Sequence, residues 1–232
     1  MRLVNYKSYF KGDDKLSYLL DVGSAATRAL FIPFGKGKVL EVGSGINQIF
    51  PNSTTLDIAG SPDIKVAIDS FTGIPKGSFD TIIMSLVLEH VESDFRAIAE
   101  CERLLKPGGL LVVLSPGHLS GICNMKEIEL NGHLRCYSRE RVALLEKPDF
   151  PCVYFIYVHF IHSLVWNRLK YVLKALNYPF RKIDDRSIYQ RWWYAPLAKY
   201  ITTLLNSLDR KFTRKPGNAF FVFKKLDQRY HE

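Results

Sequence analysis

The feature that most constrains this chain is a strand that empties directly into a glycine turn: Val39-Leu40-Glu41-Val42 runs into Gly43-Ser44-Gly45. A near-continuous apolar run of this kind reads as a parallel-sheet strand covered on both faces. Glycine at the carboxyl end of such a strand lets the backbone come close to a ligand that side chains would exclude. In open α/β sheets that edge is where ligands bind. Taken alone, the glycine pair serves an ordinary tight turn just as well, so the downstream sequence has to decide.

Downstream, short apolar runs recur. Thr54-Thr55-Leu56-Asp57-Ile58 predicts a second strand with a carboxylate at its end, a group able to accept hydrogen bonds from both hydroxyls of a ribose. Ile64 to Asp69 predicts a third strand, also ending in Asp. Phe79 to Ser85 predicts a fourth, followed by Leu86-Val87-Leu88-Glu89-His90-Val91, and Leu110 to Ser115 a fifth. Between the fourth and fifth, Ser93 reads as the N-cap of a helix with Phe95, Ile98, Leu104 and Leu105 on its apolar face. Lys106-Pro107-Gly108-Gly109 reads as that helix's stop: a cation, a breaker and a glycine cap. Strands alternating with helices or connectors imply a parallel sheet.

With these residues in order, the chain resembles the class I S-adenosylmethionine-dependent methyltransferases, most closely the type 11 group. The matching pieces are Glu41-Val42-Gly43-Ser44-Gly45, Leu56-Asp57, Asp69, Gly77-Ser78-Phe79-Asp80, Leu88-Glu89-His90-Val91 and Leu104-Leu105-Lys106-Pro107-Gly108-Gly109. His133-Leu134-Arg135-Cys136-Tyr137-Ser138 is similar to a segment these enzymes often carry after the fifth strand. The resemblance implies a Rossmann-like, seven-stranded, mostly parallel sheet whose last strand is antiparallel, and S-adenosylmethionine as cofactor. It also implies site roles. Gly43 and Gly45 would pass under the methionine part, Asp57 would hold the ribose hydroxyls, and Asp69 with Ser70 would flank the adenine. Ser85 and Leu86 would line the cavity where the sulfonium points, and Glu41, Ser44, Ile58 and His90 complete the expected cofactor contacts.

Two intervals depart from that pattern. Gly45 and Asp57 are 12 residues apart, as are Asp57 and Asp69, where a full crossover helix would separate the last glycine from the ribose acid by about 20. Pro51-Asn52-Ser53 interrupts the first interval and Gly60-Ser61-Pro62 the second, and Asn47 replaces a frequent third glycine. Both early crossovers are therefore expected to shrink to a turn or little more. One face of the sheet would then be thinly covered, with the N-terminal helix or a partner as its cover.

A length of 232 residues fits one large domain. It divides into an N-terminal helical cap over 1–35, a cofactor-binding core over 36–118, and a substrate-facing lid with the last two strands over 119–232. The start of the chain lacks the apolar core of a signal peptide, and no run reaches the roughly 18 apolar residues of a membrane span. Four cysteines without a C-x-x-C pair read as thiols of a reducing cytosol, with no metal site expected. Charge is uneven: residues 1–118 hold 12 Lys and Arg against 13 Asp and Glu, the remainder 20 against 10. Cys152 to Val158 predicts the sixth strand and Ala219 to Phe223 the seventh. Between them lie two helical patterns, Leu164 to Leu176 and Pro196 to Phe212, around a basic-aromatic stretch from Tyr178 to Tyr194.

In that insertion Arg181, Lys182, Arg186 and Arg191 interleave with Phe180, Tyr189, Trp192, Trp193 and Tyr194. The pattern suits a phosphate-bearing or lipid-linked anionic acceptor and peripheral contact with a membrane surface. RNA ranks lower, because no recognisable RNA-binding module is present. The plain alternative is that the aromatics pack a lid and the charges are its solvated face. A hydroxyl acceptor needs a base, most often His or a carboxylate. His118, just past the fifth strand, is the first candidate by position; His133 and Tyr137 come next, then His90 and Glu89. The chain lacks the Pro-Pro-aromatic motif that methyltransferases of base amino groups carry after the fourth strand. The expected reaction is thus methyl transfer to oxygen of a small or lipid-linked acceptor, with a saccharide as one form. The alternatives are an RNA methyltransferase docking through the basic half and a non-catalytic scaffold that retained the fold.

Overall fold

A computed structural model describes residues 30–45, 48–117, 132–158 and 217–227. Seven strands form one sheet: β1 (Val39–Val42), β2 (Thr54–Asp57), β3 (Ile64–Lys65), β4 (Phe79–Ser85), β5 (Leu105–Pro116), β6 (Cys152–Val158) and β7 (Asn218–Lys224). Their order is β3-β2-β1-β4-β5-β7-β6. The first five pair in parallel, while β7 runs antiparallel between β5 and β6, which is the expected architecture. The chain steps outward from β1 to β3, then returns to β4 on β1's other side. The carboxyl ends of β1 and β4 therefore meet at the point where strand order reverses, the place where open sheets bind ligands.

Alternation along the strands sorts side chains into two layers. Ile82, Met84, Leu111, Val113, Phe221 and Phe223 face one core with Leu40, Val42 and Leu56. Ile83, Val112, Leu114, Phe220 and Val222 face the other. Each fully buried apolar side chain contributes about 1.5–3 kcal/mol. Over the first core lies α1 (Asp94–Leu104), begun by Ser93, whose side chain accepts the Arg96 N–H. Its buried stripe is Ala97, Ile98, Cys101 and Leu104, while the expected Phe95 is 52% exposed. A short helix, α2 (Arg139–Ala143), adds Val142 to the same layer.

The second face is covered as its short crossovers require. Among the described residues no helix joins β1 to β2 or β2 to β3. Phe31 is fully buried against Phe220, ring centroids 5.7 Å apart, and Leu30, Phe34, Ile49 and Phe50 pack beside it. The end of the N-terminal segment and the β1–β2 loop thus replace a crossover helix.

Three expectations change. β3 is two residues long rather than reaching Asp69. Lys106-Pro107-Gly108-Gly109 is not a helix cap but the opening of β5. The Gly108 N–H donates to the Lys225 carbonyl (2.8 Å) and the Lys225 N–H to that of Gly109 (2.9 Å), so the tail of β7 draws this stretch into the ladder. Lys225 also supplies the helix stop, its Nζ donating to the carbonyls of Glu102 and Leu105 at 2.7 Å each. Finally, the four cysteines are not all thiols: Cys101 and Cys152 are free, and Cys136 is in a disulfide. The helical patterns at 164–176 and 196–212, the stretch 178–194 and most of the N-terminal cap lie outside the described residues.

Glu100 ties α1 to the segment after β3. Its carboxylate accepts from Thr72 N and Oγ1 (3.0 and 2.6 Å) and from Arg103 Nε and Nη2 (2.8 and 2.7 Å). Burial acts to raise its pKa, but the hydrogen bonds from Arg103 and Thr72 outweigh it and hold the group at about 2, against an ordinary 4.5. A folded-state value below the unfolded one adds stability that is present above about pH 4.5 and is lost as pH falls through about 2. Glu100→Gln is expected to lower unfolding stability at pH 7 by about 1.5–3 kcal/mol and to flatten the acid limb of the stability–pH curve, both read from urea titrations.

Candidate active site

At the carboxyl edge of β1 the chain turns through Gly43 (φ 66°) and Gly45 (φ 53°). A Cβ on Gly43 would stand 2.3 Å from Val87 Cγ2, whereas one on Gly45 would meet nothing within 4 Å. Gly43 is therefore closed against the protein, and Gly45 presents bare backbone outward. Asp57, at the end of β2, accepts the Gly45 N–H on Oδ2 (3.1 Å) and the Ala59 N–H on Oδ1 (3.0 Å). Each oxygen has a second lone-pair direction, so the carboxylate holds the glycine turn and keeps capacity for two further donors. A cavity of about 360 Å³ opens beside Ser44 and Gly45, bordered by Gln48, Ser53, Thr55 and Asp63. It flanks the turn on the side of the β1–β2 loop and does not include Asp57, Asp69 or Leu86.

The other expected cofactor residues divide. Glu41 faces inward: its carboxylate accepts from Ile49 N (2.7 Å), Phe50 N (2.6 Å) and Ser53 Oγ (2.6 Å). It closes the short β1–β2 loop, a role that explains an acid in a buried strand. Asp69 accepts the Ser93 N–H (3.2 Å) at the start of α1, and Ser70 donates to the Ala67 carbonyl (2.7 Å). Ile58 is exposed beside Asp57.

Past Ser85, Leu86 adopts φ 57°, the sole non-glycine residue with positive φ among those described. A leucine in this region costs about 1–2 kcal/mol, and such strain collects at functional sites. Its N–H is fixed to the Leu114 carbonyl (2.8 Å) and its side chain is 43% exposed. This turn carries Glu89 inward, where the side chain is fully buried. Glu89 Oε2 accepts from Ser115 Oγ (2.7 Å), while Oε1 has no hydrogen-bond partner. Burial pushes this carboxyl up to about 7, against the opposing pull of the Ser115 hydrogen bond.

Residues 132–141 fold back onto this turn. The Leu134 N–H donates to the Glu89 carbonyl (2.8 Å), and Arg135 donates to the carbonyls of Val91 (2.6 Å) and Glu92 (2.8 Å). His133 is thereby brought against His90, ring centroids 4.8 Å apart. His90 Nδ1 lies 3.2 Å from the Gly132 carbonyl and Nε2 4.0 Å from Glu89 Oε1. Burial, then the neighbouring His90, pushes the His133 pKa down to about 4; burial also lowers that of His90. Both rings are neutral at physiological pH.

Tyr137 is placed elsewhere. It is fully buried, with its hydroxyl donating to the Leu88 carbonyl (3.2 Å) and lying 3.3 Å from Asp94 Oδ2. Burial first, then the Asp94 charge, holds its proton far above the ordinary range, which fits a packing role and not that of a base. His118 lies outside the described residues. Glu89, ranked last among the sequence's candidates, and Ser115, not among them, prove central to the edge. The signal for Glu89 was its place beside His90 after β4.

With this geometry in view, the comparisons with known proteins agree. The model of a methyltransferase domain family matches residues 53–113, about a quarter of the chain. No curated protein sequence matches it. Among solved structures, an S-adenosylmethionine-dependent methyltransferase from Archaeoglobus fulgidus is similar over 92% of this chain and 100% of its own, with 16% identity and a TM-score of 0.53. Phosphoethanolamine N-methyltransferase 2 of Haemonchus contortus, in complex with S-adenosylmethionine, is similar over 87% of this chain and 53% of its own, at 14% identity and 0.52. The [4+2]-cyclase SpnF is similar over 87% and 80%, at 17% and 0.52. At such identities the likeness is one of fold. The fold is that of class I, S-adenosylmethionine-dependent methyltransferases, and residues 53–113 match a methyltransferase-domain family.

The outward-facing Gly45 and the unsaturated Asp57 fit that cofactor. Asp57→Ala is expected to weaken S-adenosylhomocysteine binding by about 1.5–3 kcal/mol through loss of a charged acceptor, whereas Glu41→Gln acts mainly on stability. Titration calorimetry paired with thermal melting separates the two.

Proposed function

We propose that this protein transfers a methyl group from S-adenosylmethionine to a hydroxyl of a small or lipid-linked anionic acceptor, of which a saccharide is one form. Held at the glycine edge, the cofactor would supply a methyl carbon activated by sulfonium; the acceptor oxygen would take that methyl as the C–S electron pair returned to sulfur, and the hydroxyl proton would pass to water by way of the groups gathered at Glu89, His90 and His133. Asp57 and Gly45 hold one side of that edge, and the strained Leu86 lies between them and the acceptor side. What carries the oxygen reading is the gathering of Glu89, His90 and His133 three to four residues beyond Leu86 in the turn and on the segment clasped to it. Neutral imidazoles and a carboxyl of perturbed pKa are the groups that handle a hydroxyl proton. An amine acceptor that is already nucleophilic needs no such set.

The basic balance of residues 119–232, 20 Lys and Arg against 10 Asp and Glu, supports an anionic acceptor, since a field of one sign steers opposite charge. Fold alone does not fix the reaction, as the cyclase among the structural neighbours illustrates.

A screen with methyl-labelled cofactor against sugar phosphates, lipid-linked saccharides, amines and RNA pools tests the reading. The expected result is label in a hydroxyl-bearing anionic acceptor, recovered as an O-methyl product. Label confined to amines would refute the oxygen assignment. Label confined to RNA, with affinity falling steeply as salt rises, would refute the small-acceptor assignment.

A further inference from the structure

We propose that Glu89, His90 and His133 form a binding site for a divalent first-row transition ion at the acceptor side of the sheet edge. The ligand atoms of the three residues lie within 4.8 Å of one another. Two side-chain atoms of this cluster are unsatisfied. Glu89 Oε1 and His133 Nδ1 are both buried and lack a hydrogen-bond partner, and an unsatisfied buried polar atom is costly enough that native folds rarely keep one without a use.

The surrounding contacts are those that orient metal ligands. A carbonyl oxygen only accepts, so the 3.2 Å contact from His90 Nδ1 to Gly132 requires the proton on Nδ1. The lone pair is then on Nε2, the nitrogen 4.0 Å from Glu89 Oε1. Metal-binding imidazoles are characteristically held this way, with the far N–H on a backbone carbonyl. Ser115 does the corresponding work on the carboxylate, donating to Oε2 at 2.7 Å and turning Oε1 toward the histidines. His133 is delivered by a backbone already fixed through Leu134 and Arg135. Ligands about 2.0–2.2 Å from an ion stand roughly 3–3.5 Å apart, so the side chains close in by about an ångström when it binds.

Two imidazoles and one carboxylate favour an ion of the zinc, iron or cobalt kind over calcium or magnesium, which prefer all-oxygen shells. Three protein ligands leave coordination positions open, the arrangement of catalytic rather than structural sites. The ion's role, though not its binding, rests on the oxygen-acceptor reading above. At an open position it takes the acceptor hydroxyl, lowers its pKa, and lets the proton pass to water, so that no single side chain has to act as base.

The test uses the full chain stripped with a chelator. Zn²⁺ is titrated calorimetrically, and Co²⁺ is added for its visible absorption, in the unaltered protein, in Glu89→Gln and in His133→Asn. The expected result is one ion per chain, affinity at least tenfold weaker in both variants, and S-adenosylhomocysteine affinity within twofold of the unaltered protein in His133→Asn. No uptake by the stripped protein, or equal uptake by His133→Asn, would overturn the site and leave a water as the partner of these atoms. Should Glu89→Gln fail to fold, His133→Asn alone decides. Metal binding without methyl transfer to any hydroxyl would refute the oxygen-acceptor reading and leave the site standing, whereas O-methylation undiminished by the chelator would refute the ion's role in it.

Discussion

Asp94 is the anchor on which the histidine side of the sheet edge depends. It is buried at the first position of α1, and its Oδ2 receives Arg141 Nη2 at 2.6 Å, with the Tyr137 hydroxyl at 3.3 Å and Arg135 Nε at 3.9 Å. Negative charge in the first helical turn is also favoured by the helix dipole. Three residues from 132–141 thus converge on one carboxylate just after the β4 turn. Asp94 is buried but Arg141 remains about one-third exposed, so the pair is partly screened, and the carboxylate's role is to give these groups one shared acceptor. The consequence for function is positional: the clasp brings His133, 43 residues downstream of His90, against it.

The cofactor side rests on a second buried carboxylate. With no room for a crossover helix after β1, Glu41 does what a helix would otherwise do, collecting the amides of Ile49 and Phe50 and the Ser53 hydroxyl. The loop so formed lays Ile49 and Phe50 over the sheet, where Phe31 and Phe34 complete the cover. The shortened loop leaves the pieces that matter at the edge: an outward glycine backbone and an aspartate tied to it. Economy in the crossovers and retention of the ligand edge are compatible because the edge is made by strand ends. Asp80 shows the converse. It belongs to the same ordered set of motifs, but lies at the amino end of β4, where it accepts the Lys38 N–H (2.7 Å) and pairs with Lys106 (2.8 Å). Its work is to hold the bottom of the sheet.

Most of the architecture was legible because it depends on local signals. Short apolar runs marked β1, β2 and β4, the first leading into Gly43 and the second ending in Asp57, and Ser93 marked the start of α1. What was not legible depends on distant partners. Lys106-Pro107-Gly108-Gly109 has the composition of a cap, yet Lys225, more than a hundred residues away, turns it into a strand. Tyr137 reads as a candidate base from its neighbours, but only the fold reveals that Leu88 and Asp94 enclose it. Glu89, His90 and His133 were each visible singly; their convergence was not, because it is created by hydrogen bonds between two segments that no spacing rule connects.

The central claim is that the carboxyl edge of β1, β2 and β4 is the transfer site, with the cofactor on the glycine side and the acceptor on the histidine side. Backbone amide NMR of the labelled protein, titrated with S-adenosylhomocysteine, tests it most directly. The account predicts that the largest shifts fall at Gly43, Ser44, Gly45, Asp57 to Ala59 and Leu86, with little change at Asp80, Lys106 and the amino ends of the strands. Shifts clustered away from that edge, or none at saturating ligand, would contradict it.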